Sequence, residues 1–150
     1  MNEEKPEFTE LVHNYIHAGK QFPEGTETAF LTVKKIGRFS EAGALDFGGG
    51  EYTEAGVEWL APVKKKKEDS YGWWHLTAGT YHIEFNESLT LPEDRRLYLQ
   101  IWGRAERNGA SIPFRVLEKD HDPLITALTV GIPGIEIKEN ARLACLGFFD

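Results

Sequence analysis

LTAGTYHIEFNESLTLPEDRRLYLQIWGRAERNGA, residues 76–110, is the stretch on which the architecture of the chain turns. It reads as strand, turn, strand, turn, strand and then a charged loop. Leu97, Leu99 and Ile101 alternate with Tyr98, Gln100 and Trp102. That is the period of a half-buried strand, because successive side chains of an extended backbone point to opposite faces. Ala78-Gly79 and Leu91-Pro92-Glu93-Asp94 punctuate the strands, since Gly permits positive φ and Pro fixes φ at a turn. After the last strand come Gly103, Arg104, Ala105, Glu106, Arg107, Asn108 and Gly109. Two guanidiniums and a carboxylate thus lie between two glycines, where a tightly bent backbone presents them together.

Toward the N-terminus, Phe8, Leu11, Val12, Tyr15 and Ile16 recur at i, i+3, i+4, i+7 and i+8, which predicts a helix over about residues 8–18 with one apolar stripe. Pro6 suits its first turn and Gly19 its stop. His13 and His17 lie four apart, but without a Glu-rich partner motif they read as exposed helix histidines rather than a metal pair. After Pro23 and Gly25 the pattern turns to strands. Residues 28–33, TAFLTV, suit a strand covered on both faces or lying at a subunit contact. Residues 41–52, EAGALDFGGGEY, form a glycine-rich element around one carboxylate, Asp46. Its glycine run suggests a phosphate loop, yet the Gly-Lys-Ser/Thr ending that grips phosphate and magnesium is absent. A turn carboxylate capping backbone N–H groups is the competing role for Asp46. Trp73 and Trp74 are adjacent on a strand and face opposite ways, so core packing competes with an interface or ligand shelf for at least one of them.

The 150 residues suffice for one domain over 1–150 with its own core. Hydrophobic content of 41% and aromatic content of 12% argue against disorder. No apolar run approaches the roughly 20 residues needed to span a bilayer. The acidic start, MNEEKPEF, is no secretory signal, so a cytoplasmic protein with no membrane partner is expected. A net charge of −7 argues against general DNA or RNA binding, which needs a basic face to displace counterions from phosphates. The run Lys64 to Lys67 meets Glu68 and Asp69 at once and reads as a solvated loop rather than an anion site. A lone Cys145 excludes an intrachain disulfide and a multi-Cys zinc site. Its neighbours Leu143, Ala144 and Leu146 make it a buried, inert thiol.

The 76–110 block resembles the dCTP deaminase and dUTP diphosphatase superfamily, whose pattern is a Pro-Gly or Ala-Gly turn, a strand, "LP(D/E)D", a strand and then "GRSS". Order and spacing match from Ala78 to Arg104. The loop itself departs from the pattern: GRAERNGA lacks the Ser pair and is about two residues short. Leu45-Asp46-Phe47-Gly48 resembles the family's first motif, a short strand with an Asp. Downstream, Glu118 falls on the motif Asp, His121 on its aromatic and Pro123 on its Gly. Leu128 stands where deaminases carry a catalytic Glu, with Thr126 and Thr129 nearby. Residues 142–149, RLACLGFF, resemble "(R/K)IAQLVF", with Cys145 in place of the usual Gln. The glycine-rich tail that folds over the nucleotide in trimeric dUTP diphosphatases is not expected, since the sequence stops at Asp150. The resemblance spans about residues 44–149. It implies a mainly β protein, a distorted jelly-roll β-barrel of the dUTPase-like type with one N-terminal helix, assembled as a homotrimer with sites between subunits. Many short strands punctuated by turns lead independently to a barrel or jelly roll.

The implied function is the handling of a deoxynucleoside triphosphate. Release of pyrophosphate needs cations against the phosphates, Mg²⁺, and a carboxylate to orient and deprotonate water. Arg104 and Arg107 would hold phosphates through bidentate contacts, with Glu106, Asn108 and Gly109 in the same loop. Glu118 or Asp120 would act as base, and Asp46 would help place the water or metal. Deamination is less well supplied, and no zinc is implied because the zinc deaminase motifs are absent. The alternative is a non-catalytic nucleotide-binding or structural trimer of the same fold. There Glu106, whose charge opposes a triphosphate, would form a salt bridge with Arg104 or Arg107 instead.

Overall fold

The computed structural model describes residues 7–149. In chain order its elements are α1 (Phe8–Leu11), β1 (Val12–His13), α2 (Ala18–Gln21), β2 (Thr28–Glu41), β3 (Gly56–Trp59), β4 (Trp73–Leu76), β5 (Gly79–Phe85), β6 (Ser88–Leu89), β7 (Arg96–Ile101), α3 (Gly103–Glu106), β8 (Ala110–Ser111), β9 (Arg115–Leu117), β10 (Ile125–Val130), β11 (Ile135–Lys138) and β12 (Arg142–Phe149). The protein is mainly β. One sheet runs β8-β10-β5-β2-β12-β7-β9 with β3 attached to β2, and β1-β6 and β4-β11 form two-stranded ribbons. The large sheet curls into a half-barrel.

Curling begins in β2, a strand of 14 residues that serves two neighbours in turn. Its first half pairs with β12, Thr28 opposite Gly147 and Thr32 opposite Arg142. Its second half pairs with β5, Val33 opposite Phe85 and Arg38 opposite Tyr81. The register slips between Val33 and Lys35 on one side and between Arg142 and Ala144 on the other. Bulges of this kind bend a strand and increase its twist.

A handover of this sort strands backbone groups, and a buried backbone N–H must find a partner. Glu87, fully buried, supplies it. Its Oε1 accepts from the Thr32 amide at 2.7 Å, and its Oε2 accepts from Thr32 Oγ1 at 2.5 Å and from Gln21 Nε2 at 3.0 Å. Gln21 in turn donates to the Phe30 carbonyl and accepts from the amides of Ile16 and His17. A side-chain network therefore ties the N-terminal segment to the point where β2 changes partners.

The helix expected over 8–18 is not formed as one piece. One turn, α1, gives way at Val12 to β1, which pairs with Leu89 of β6. Asn14 then takes φ 64°, the left-handed region that ends a helix, and a second turn, α2, follows. Phe8, Leu11 and Val12 are buried as the stripe requires, but Tyr15 and Ile16 are exposed. A helix this short is marginal in water, and pairing with β6 gives the segment bonds outside itself, the Thr90 amide donating to the Leu11 carbonyl. Gly19 falls inside α2 rather than at a stop, and Pro6 lies outside the described residues. His13 and His17 part company: His13 bonds Thr90 Oγ1, while His17 Nδ1 caps α2 by accepting from the Lys20 amide.

The alternation expected in β7 is observed, with Leu97 and Leu99 fully buried between half-exposed or exposed neighbours. They join Leu31, Ile36, Ile83, Phe85, Leu128 and Leu146 in the core. Trp74 is buried and donates its indole N–H to the Leu60 carbonyl, whereas Trp73 faces the opposite way under Lys65. No described helix is long and apolar enough to cross a membrane.

Candidate functional site

The charged loop folds as one helical turn. Gly103 to Glu106 form α3, closed by bonds from the amides of Ala105 and Glu106 to the Trp102 carbonyl and from the Arg107 amide to the Gly103 carbonyl. Ala105 is the buried anchor, so Arg104, Glu106 and Arg107 project outward. Asn108 acts on the turn itself, its side chain donating to the Arg104 carbonyl at 2.8 Å. Gly109 holds φ 81°, where a side chain is disfavoured, and its carbonyl accepts from Gly131. These last two residues shape the loop.

At its start stands Trp102, half-buried, with Phe30 packed edge-on at 5.3 Å. Two guanidiniums share this indole: Arg104 at 5.1 Å and Arg142, from the first residue of β12, at 4.7 Å. Arg142 also lies over Phe30 and donates to the Lys20 carbonyl. Among the described residues, no carboxylate forms an ion pair with Arg104, Arg107 or Arg142. Glu106, the expected partner in a packing role, pairs with neither neighbouring arginine. Guanidiniums with no carboxylate among the described residues, gathered on an aromatic platform in a chain of net charge −7, have the chemistry to hold an anion. Trp102 and Arg142 escaped the sequence reading as site residues. Trp102 adjoins the loop in sequence, but only the β7-β12 pairing, which sets Ala144 opposite Ile101, brings Arg142 to it.

The expected carboxylates stand elsewhere. Asp46 lies in an exposed loop and clamps its own turn, Oδ1 accepting from the Gly49 amide and Oδ2 from that of Glu51. Asp120 accepts from the Leu91 amide at 2.7 Å and pins the β9-β10 connection to the turn before β7. Glu118 is exposed and approaches only Arg96, at 3.8 Å. Leu97 pairs with Leu117, so Glu118 lies beside the first residue of β7, whereas Arg104 follows the last. Five residues at about 3.3 Å each set the two ends about 17 Å apart. One subunit therefore does not gather Asp46, Arg104 and Glu118 in one cleft. The cavities of about 510 Å³ and 320 Å³ bordered by the described residues include none of the three.

Comparison with known proteins bears on this arrangement. No family model matches the chain. A probable deoxyuridine 5'-triphosphate nucleotidohydrolase of Methanosarcina mazei is 29% identical over 142 residues, 93% of this chain and 78% of the relative. Proteins of the same name from Methanococcoides burtonii and Methanosarcina barkeri are 28% and 26% identical over the same shares. The crystal structure of a 2'-deoxycytidine 5'-triphosphate deaminase from Agrobacterium tumefaciens superposes with a TM-score of 0.61 at 13% identity. It covers 94% of this chain, which spans 44% of the deaminase chain. In sequence and in fold the chain is similar to the dUTPase/dCTP deaminase superfamily.

Against the pattern of that superfamily the chain diverges at identifiable positions. Leu128, where the resemblance puts a deaminase's Glu, is fully buried in the core. Cys145 is buried, and burial pushes its thiol up to about 11, so at neutral pH it is no nucleophile. His121 bridges to Leu89 through its backbone, and burial lowers the pKa of its ring. The described residues hold no group of three or more His, Cys, Asp or Glu arranged to grip a metal. A resident all-protein Mg²⁺ site therefore does not fit a single subunit.

Proposed function

We propose that this protein acts on a deoxynucleoside triphosphate, with dUTP as substrate and release of pyrophosphate as the reaction. The observation that carries this reading is the Trp102 platform. Arg104 and Arg142 present uncompensated guanidiniums at the loop matching the superfamily's "GR" motif. The names of the Methanosarcina and Methanococcoides relatives supply the substrate. Pyrophosphate release is favoured over deamination because Leu128 offers no acid or base. Among the expected carboxylates Glu118 is the one whose oxygens are not committed to a backbone amide, which makes it the base that orients and deprotonates water. Asp46 keeps lone pairs beyond its two turn bonds to position that water. Mg²⁺ would arrive with the triphosphate, held by its oxygens and water, the mode this ion favours.

Separation of Glu118 from Arg104 within one chain requires that copies of the chain complete one another's sites. A homotrimer, the assembly the family resemblance implies, would supply them. Exposed apolar residues support association: Leu45 is 89% exposed, Ile132 is 91% exposed and Phe47 fully so. Its setting is the cytoplasm, where nucleotide pools lie. A second reading, a non-catalytic nucleotide-binding trimer, is favoured by the commitment of Asp46 and Asp120 to backbone amides. Incubation of the purified protein with each dNTP and Mg²⁺ separates the two. Pyrophosphate from dUTP is expected. Ammonia from dCTP would reverse the assignment, and a nucleotide-induced rise in Tm without any product would leave the binding trimer.

A further inference from the structure

Away from the Trp102 platform, the cavity of about 510 Å³ lies between the N-terminal segment, the loop after α2 and the end of β12. Arg95 borders it, and is only 8% exposed. Its guanidinium lies over the Phe148 ring at 4.1 Å, and Phe148 stacks on Phe8 at 4.3 Å with the planes 19° apart. Arg95 Nε is sealed from solvent and has no hydrogen-bond partner. Among the described residues nothing accepts a hydrogen bond from its guanidinium, and no carboxylate lies within ion-pair distance. An arginine cannot shed its proton, and it carries five N–H donors. Burying one without an acceptor is costly unless an anion completes it.

We propose that this cavity is a binding site for a small monoanion, a carboxylate on a flat apolar body, with Arg95 as its counter-ion. The size falls within the range of small-molecule sites. Phe8, Phe22 and Phe148 supply apolar wall for the flat body, and the planar fork of Arg95 matches a planar carboxylate bidentately. The rim fixes the charge. Glu7, Glu24 and Glu27 border the same cavity, and among the described residues Arg95 is the one cation that lines it. Arg95 balances one negative charge, and the three rim carboxylates penalise each further one, so a monoanion is favoured over a dianion or triphosphate. This site is therefore distinct from the nucleotide platform in place and in charge.

Titration with benzoate, followed by Tm and by amide chemical shifts, tests the assignment. Benzoate is expected to raise Tm and to shift amides around Phe8, Thr28 and Phe148. Benzyl alcohol, with the same body and no charge, and phenyl phosphate, a dianion, are expected to bind at least tenfold more weakly. Arg95→Gln should weaken benzoate at least tenfold. Because that variant removes a buried side chain, Glu27→Lys, an exposed change at the rim, provides an independent arm and should tighten benzoate at least threefold. Saturating dUTP should leave the benzoate Kd unchanged. Equal binding of benzyl alcohol, an unchanged Kd in either variant or displacement by dUTP would each overturn the proposal, and none of these bears on pyrophosphate release.

Discussion

Four of the described arginines rest on aromatic rings with different consequences, Arg95 over Phe148 at the cavity being one. Arg96 lies over Phe149 and faces Glu118, so its charge is answered. Arg104 and Arg142 share Trp102 without a carboxylate. Arg104→Ala and Arg142→Ala should each weaken dUTP at least tenfold, since a charge-assisted contact to phosphate contributes about 1.5–3 kcal/mol. Affinities from isothermal titration that stay within a factor of two would remove these residues from the phosphate role. Glu87 makes a different kind of prediction. Burial raises its pKa above the ordinary value, and the bonds from Thr32 and Gln21 only partly oppose that. The native state thus holds the Glu87 proton more tightly than the unfolded chain does. Its contribution to stability is fully present below the unfolded value and is lost as pH rises through the folded one. Relative to Glu87→Gln, the wild type should gain stability as pH is lowered from neutral toward the ordinary carboxylate range. Urea midpoints across that window measure it, and a constant difference between the two proteins would contradict the assignment. The residue lay unnoticed in the sequence because Asn86-Glu87-Ser88 has the composition of an exposed turn.

At the scale of elements, the N-terminal segment shows how far periodicity reaches. Phe8, Leu11 and Val12 satisfy helical and observed packing alike, because one turn of helix followed by strand buries the same three side chains. Only Tyr15 and Ile16 discriminate, and they are exposed. Leu11→Ala should cost about 2–4 kcal/mol, the range for a truncated core leucine. Ile16→Ala should change stability by no more than about 0.5 kcal/mol, as exposed substitutions do. Under a continuous amphipathic helix both would be costly, and denaturant unfolding of the two variants decides. The central strands were legible for the opposite reason. Strict alternation in 97–101 has no helical equivalent, and turns at Gly79 and Pro92 fix its frame. Loop residues divided by environment: Asn108 and Gly109 were legible as belonging to the loop, and their bonds show that they build its turn, while Arg104 and Arg107 are exposed.

For the whole molecule, the distance between Glu118 and Arg104 makes assembly a requirement of the proposed chemistry. A homotrimer should sediment at about three times the 17.0 kDa of the chain. Phe47, fully exposed beside Asp46, is the side chain most in need of cover. Phe47→Glu should shift the sedimenting species toward monomer and lower pyrophosphate release in parallel. A wild-type monomer that still releases pyrophosphate would show that one chain suffices.

By itself the sequence determined the strands of residues 76–101, the superfamily they resemble and the loop that bears Arg104, because alternation, turn residues and motif spacing are properties of neighbouring residues. It also placed Asp46 at a turn, where a short carboxylate reaches amides a few residues along. Tertiary structure alone decided that Arg142 joins Arg104 on Trp102, that Glu87 closes the gap in β2, and that Arg95 is buried at a cavity without a partner among the described residues. Those facts join residues 38, 55 and 53 positions apart, from Arg104 to Arg142, Thr32 to Glu87 and Arg95 to Phe148. Strand register and chain curvature, which local pattern does not encode, set such distances.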